Sequence, residues 1–187
     1  MVYNSIHIII FRVFSSTPFS YVWGSLKTGI MKKVLFICLG NICRSPAAEG
    51  IMKSLLHKRN LTNKFQLDSA GMIDYHTGEG PDPRMLKQAS ERGYKLTHKA
   101  RKFDPKKDFK KFDYLVTMDD QIFMDVNKLD KKNEYSSKIY KMAKYCSHYN
   151  VKSVPDPYDE GPEAFENVLD ILEDACGYFL DKIKDES

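Results

Sequence analysis

Val34-Leu35-Phe36-Ile37-Cys38-Leu39-Gly40-Asn41-Ile42-Cys43-Arg44-Ser45-Pro46 is the stretch on which the fold turns. Val34 to Ile37 is continuously apolar, the pattern of a strand buried on both faces of a parallel sheet. Cys38 to Arg44 interrupts it with a tight polar turn. Ser45-Pro46 then marks a helix start, because proline suits the first helical position, where its missing N–H would have no partner in any case. Ile51, Met52, Leu55 and Leu56 follow at helical spacing and give that helix a core face.

Working outward, Phe65 to Ala70, Phe112 to Met118 and Lys138 to Met142 read as further strands. Helical patterns separate them over Pro83 to Arg92, Asp120 to Lys128 and Glu163 to Lys184, the last with Phe165, Val168, Leu169, Leu172, Cys176 and Phe179 on one stripe. Such alternation predicts an α/β fold: a four-stranded parallel sheet with helices on both faces and an anion-binding loop after the first strand. Ligands of such sheets bind at the carboxyl ends of the strands. Cys38 stands at one of them.

A chain of 187 residues with 42% hydrophobic and 29% charged residues has the balance of a soluble globular protein and the length of about one domain. The net charge of +4 is mild. Its one basic cluster, Lys99, Arg101, Lys102, Lys106, Lys107, Lys110 and Lys111, reads as a solvated face or as a rim that attracts anions, and nothing in it points to nucleic acid. Cys38, Cys43, Cys146 and Cys176 lack the paired spacing of a zinc site, and reduced thiols in a cytoplasmic protein are the simplest reading.

Composition changes near Met31. Residues 1–30 contain no acid and only Arg12 and Lys27 as strong bases. Their apolar run from Ile6 to Phe14 is too short to span a bilayer and lacks a basic leader. Residues 1–30 are therefore expected to be an N-terminal extension, disordered or an upstream start, and residues 31–187 the functional domain. No membrane association is expected, and a monomer is the default.

In the loop itself, backbone N–H groups and the positive end of the following helix can converge on one point, which favours an anion. Gly40 and Asn41 tolerate the left-handed angles such a curled loop requires. Arg44 adds a planar fork matched to two phosphate oxygens, and its charge favours the thiolate of a cysteine held beside it. Ser45 could donate to the sulfur. A lone Cys38 would read as a buried core residue; the cysteine and arginine with Gly-Asn between them and Ser-Pro after them are what give it a chemical role.

The stretch Val34 to Pro46 resembles the signature of the low-molecular-weight protein tyrosine phosphatases, and the likeness extends from Met31 to Lys184 through Asp68-Ser69-Ala70-Gly71, Pro81-Asp82-Pro83-Arg84, Met118-Asp119 and Asp156-Pro157-Tyr158. The resemblance implies hydrolysis of phosphotyrosine in protein substrates through a cysteinyl-phosphate on Cys38, without metal or cofactor. It implies that Leu39, Gly40, Asn41, Ile42, Cys43 and Ser45 form the phosphate loop with Arg44. Asp156, in a loop stiffened by Pro155 and Pro157, becomes the general acid and base. Ser69 and His98 are expected to hold the loop in shape by hydrogen bonds, and Tyr75 and Tyr158 to wall the pocket. Cys43 matches a second loop cysteine capable of a reversible disulfide with the nucleophile. Asp159 departs from the family, which often carries a second tyrosine there.

Three rivals stand beside this reading. An arsenate reductase would share the fold and loop but would need a cysteine pair after the third strand, which this chain lacks. A phosphoarginine phosphatase would carry threonine where Ile42 stands. A catalytically dead binding module would be free to lose Cys38, Arg44 or Asp156, and all three are present.

Overall fold

The computed structural model describes residues 31–186, so the expected extension lies outside the described residues. Strand β1 spans Lys32–Cys38, helix α1 Arg44–Lys58, β2 Phe65–Gly71, α2 Pro83–Glu91, a single-turn α3 Asp108–Lys111, β3 Tyr114–Thr117, α4 Asp120–Leu129, β4 Ile139–Lys141 and α5 Pro162–Ile183. The four strands form one sheet in the order β2-β1-β3-β4, and every pairing is parallel.

Alternation along β1 explains why its sequence is apolar throughout. Val34 and Phe36 face one core with α1 and α5, whereas Leu35 and Ile37 face a second core with Phe109, Phe112, Ile122 and Val126 from α3 and α4. All four strand residues are fully buried. Truncating Phe36 to alanine would remove a buried ring from the first core and cost about 3–5 kcal/mol. The stripe expected on the closing helix is real: Phe165, Val168, Leu169, Leu172, Cys176 and Phe179 are all buried.

Strand order places the site. β1 lies between β2 and β3, so the chain leaves β1 toward one side and later returns to the other, and the carboxyl ends of β1 and β3 flank the point where the winding reverses. Cys38 ends β1, and Asp119 follows β3 closely.

Several boundaries differ from expectation for local reasons. Helix α1 starts at Arg44, so Pro46 sits in third position, still within the first turn where its missing N–H removes no intrahelical bond. The third strand is shorter than Phe112 to Met118, because Phe112 closes α3 by donating its N–H to Asp108 O at 3.1 Å. Among the described residues no helix is long and apolar enough to cross a membrane.

Candidate active site

The loop from Cys38 to Ser45 is shaped by bonds on its outer side. Carbonyl oxygens of Cys38, Leu39 and Ile42 accept from the backbone N–H groups of Met72 (3.0 Å), Ile73 (3.1 Å) and Asp82 (2.8 Å). Asn41 O accepts from His98 Nε2 at 2.7 Å. With the carbonyls held outward, the amides of Gly40, Ile42 and Cys43 are left without partners among the described residues. A concave set of them beside a helix N-terminus is suited to an anion.

Asn41 is the hub of this loop. It takes the left-handed conformation at φ 58°, which asparagine tolerates better than most residues. It is fully buried, and its side chain donates to Ser45 Oγ at 2.9 Å and accepts from the Arg101 N–H at 3.0 Å. Arg101 is itself fixed by Asp68 and Asp108. One member of the basic cluster therefore supports the loop, while Lys102, Lys107 and Lys111 pair with neighbouring aspartates at the surface.

Cys38 Sγ lies at the centre, 98% buried. It accepts from the Asn41 N–H at 3.2 Å and lies 3.0 Å from Ser45 Oγ. Because Asn41 Nδ2 already donates to Ser45 Oγ, the serine proton can point at sulfur, which is nearer than its other acceptor, Ala70 O at 3.5 Å, and there it would stabilise negative charge. Cys43 is buried too, and burial, reinforced by the neighbouring Asp82, pushes its thiol up and keeps it protonated at neutral pH. All four cysteines are free.

Arg44 is 3% exposed and would be costly there without counter-charges. Nη1 donates to Asp119 Oδ2 at 2.6 Å, and Nη2 pairs with Asp156 Oδ2. Its Nε is buried without a partner. The segment carrying Asp156 is tied to the sheet by the Val154 N–H, which donates to Met118 O at 2.8 Å just beyond β3. Asp119 also caps α4, accepting from the Ile122 N–H at 2.7 Å.

Cys38, Arg44 and Asp156 line one cavity of about 280 Å³ with Leu39, Gly40, Ile42, Cys43, Ile73, His76, Tyr158, Asp159 and Glu160. Sequence reasoning had placed Cys38, Arg44, Asp156 and Tyr158 together, and they meet. Tyr75 does not line the cavity: it is 80% exposed and packs edge-to-face on His76, whose ring takes the expected wall position. Ser69 does not touch the loop. Its hydroxyl donates to the buried Glu49 carboxylate of α1 at 2.6 Å, because Ser69 pairs in register with Phe36, two residues before Cys38. His98 does reach the loop, and burial pulls its pKa down despite the raising effect of the Asn41 bond, so the neutral Nε2–H tautomer is the donor.

From sequence, Asp119 stands out only within a matching stretch and carries no role, and neither Ile73 nor His76 stands out. An aspartate between a strand end and an apolar helix start is a capping signal that could have exposed Asp119. The irregular segment holding Ile73 and His76 carries no periodicity to read. Gly71 was noted only as part of a matching stretch. A Cβ there would lie 2.8 Å from Leu39 O and 3.0 Å from Gly40 C, so glycine is what lets the loop rest on β2.

The family model for low molecular weight phosphotyrosine protein phosphatase matches residues 33–187. The chain is 35% identical over 157 residues to the low molecular weight phosphotyrosine protein phosphatase of Sus scrofa, covering 83% of this chain and 98% of the relative. Among solved structures it resembles the protein tyrosine phosphatase of Entamoeba histolytica, crystallised with Hepes in the active site, at TM-score 0.79 and 42% identity over 82% of this chain and 97% of that one. It also resembles the drosophila arginine phosphatase, at TM-score 0.76 and 31% identity over 84% and 100% of the two chains. A parallel sheet ending in an anion cradle with a cysteine at its centre belongs, on these likenesses, to the protein-tyrosine phosphatases. Within that class the chain belongs to the low molecular weight phosphotyrosine protein phosphatase family.

Proposed function

We propose that the chain hydrolyses phosphotyrosine in protein substrates in two covalent steps, with Cys38 as nucleophile, Asp156 as general acid and base, and Arg44 with the loop amides as the phosphate cradle. The observation that carries this is the buried, unpartnered Nε of Arg44, a residue that lines one cavity with Cys38 and Asp156. An orphaned cationic donor there is satisfied by a phosphate oxygen.

In the first step the Cys38 sulfur attacks phosphorus, the bond from phosphorus to the tyrosine oxygen breaks, and the departing oxygen takes the Asp156 proton. In the second, water attacks the cysteinyl-phosphate, Asp156 accepts the water proton, and the sulfur leaves as thiolate while inorganic phosphate is released. Asp156 rests against Arg44, so an entering phosphate must displace it from Nη2 before it can serve the leaving oxygen. The three non-bridging oxygens stay in the cradle throughout, and positioning and charge carry most of the rate. Nothing in these steps calls for a metal. Tyr158 offers a ring face to the substrate ring, and His76 stands across from it at a centroid distance of 6.1 Å.

Phosphoarginine is the second reading, favoured by the likeness to the drosophila arginine phosphatase. Ile42 lines the cavity and offers no hydroxyl to a guanidinium, which supports phosphotyrosine. Rates on phosphotyrosine, phosphoserine and phosphoarginine, with Cys38→Ser run alongside, test the choice. Cys38-dependent cleavage of phosphotyrosine above the others is expected, and a preference for phosphoarginine would overturn the assignment.

A further inference from the structure

Asp159 and Glu160 line the cavity yet have no part in the steps above. Both are exposed, and among the described residues neither forms an ion pair. Cations near this wall are already engaged. Arg84, which lies over the Tyr158 ring at 5.5 Å, pairs with Asp82 at 2.8 Å, and His76 Nδ1 lies 2.8 Å from Glu79 Oε2. The cavity therefore has two opposed ends. Its floor wants an anion, as the buried unpartnered Arg44 Nε and the free loop amides indicate. Its wall after Tyr158 presents two uncompensated carboxylates.

A phosphomonoester entering phosphate first leaves its remaining atoms beside that wall. We propose that Asp159 and Glu160 select among phosphotyrosine segments by charge, favouring lysine or arginine next to the phosphotyrosine and disfavouring aspartate or glutamate. The inference rests on the phosphotyrosine reading above and adds the class of sequence that the site accepts. Like charges held at a rim act on encounter and on the wrong partner more than on tight binding. Exposed pairs are individually weak, so two of them should separate basic-flanked from acidic-flanked substrates by about tenfold in kcat/KM at low salt. Screening should shrink the ratio, because the Debye length falls from about 30 Å at 0.01 M to about 3 Å at 1 M salt.

The test uses the full chain and three phosphotyrosine peptides of equal length whose neighbours on both sides are lysine, alanine or glutamate, beside a small aryl phosphate with no flanks. Wild type should rank lysine above alanine above glutamate. The Asp159→Asn, Glu160→Gln double variant should compress that ranking, each enzyme being its own reference. Single variants should each give part of the compression, and high salt should produce it in the wild type. Equal rates on the three peptides would overturn the proposal, as would a wild-type ranking that survives unchanged in the variants or in high salt. Failure of the wild type on the peptides and the aryl phosphate alike would instead remove the phosphatase reading, and this inference with it.

Discussion

Arg44 donates through Nη1 to Oδ2 of Asp119 at 2.6 Å, joining the loop after β1 to the second residue beyond β3. The bond spans the point where the sheet's winding reverses. It fixes one arm of the guanidinium while Nη2 pairs with Asp156 and Nε stays buried without a partner.

Replacing Asp119 with alanine should loosen that orientation. A misplacement of about 1 Å in such a group can cost on the order of a hundredfold in rate. We expect kcat/KM on an aryl phosphate to fall by about ten- to a hundredfold. Loss of the α4 cap should lower stability by about 1 kcal/mol, with a further loss because buried Arg44 keeps only one of its two counter-charges. Asp119→Asn, which keeps a capping oxygen but no charge, should recover the cap's share of the stability and only part of the rate. Steady-state kinetics with urea unfolding on both variants checks this.

Gly71→Ala should be far more damaging than its size suggests. The new methyl would meet the backbone of Leu39 and Gly40, which cannot swing aside as a side chain would. Overpacking of this kind costs about 1–3 kcal/mol. The strain falls on the loop that carries Cys38, so activity should drop at least tenfold in protein that remains folded by circular dichroism.

His98 makes a pH prediction. Burial depresses its folded pKa below the unfolded value of about 6.5, so below that pH the unfolded chain binds more protons and stability falls. Above about pH 6.5 its contribution is fully present. Comparing urea midpoints at pH 5.5 and 7.5, the wild type should lose more than His98→Gln does over the same interval. An equal loss in both would contradict the burial argument.

Asp174 makes a second one, far from the site. Burial opposes its charge, but bonds from the Ser147 hydroxyl, the His148 ring and the backbone N–H groups of His148 and Ser147 outweigh it and hold its pKa well below the usual carboxylate range. Its stabilisation is present above about pH 4 and disappears only as pH falls through the depressed value. Asp174→Ala should destabilise the protein by about 2 kcal/mol at pH 7. That corresponds to roughly 4–8 °C in Tm by calorimetry.

Much of the site was legible because chain-local chemistry encodes it. An apolar run, a Gly-Asn turn and Ser-Pro place Cys38 and Arg44 in one loop without reference to the rest of the chain. Asp156 was reachable through its prolines and the likeness of its neighbourhood. Ser69 was misplaced because strand register decides its neighbour, and register is a relation between two segments. His76 lines the cavity in place of Tyr75 for a similar reason: in an irregular segment nothing in the sequence says which of two adjacent rings turns inward. The contribution of Arg101 was hidden inside a run of lysines, where only a hydrogen bond from its backbone N–H to Asn41 distinguishes it.

The most direct test of the proposed mechanism is peptide mass spectrometry after rapid quenching of the full chain with a phosphotyrosine peptide, in wild type, Asp156→Ala and Cys38→Ser. A phosphoryl group on the peptide that contains Cys38, trapped in the wild type, formed more slowly in Asp156→Ala because the leaving oxygen lacks its acid, and absent from an inactive Cys38→Ser, is the predicted result. Turnover that survives in Cys38→Ser, or phosphate released with no adduct on Cys38 in either other protein, would contradict it.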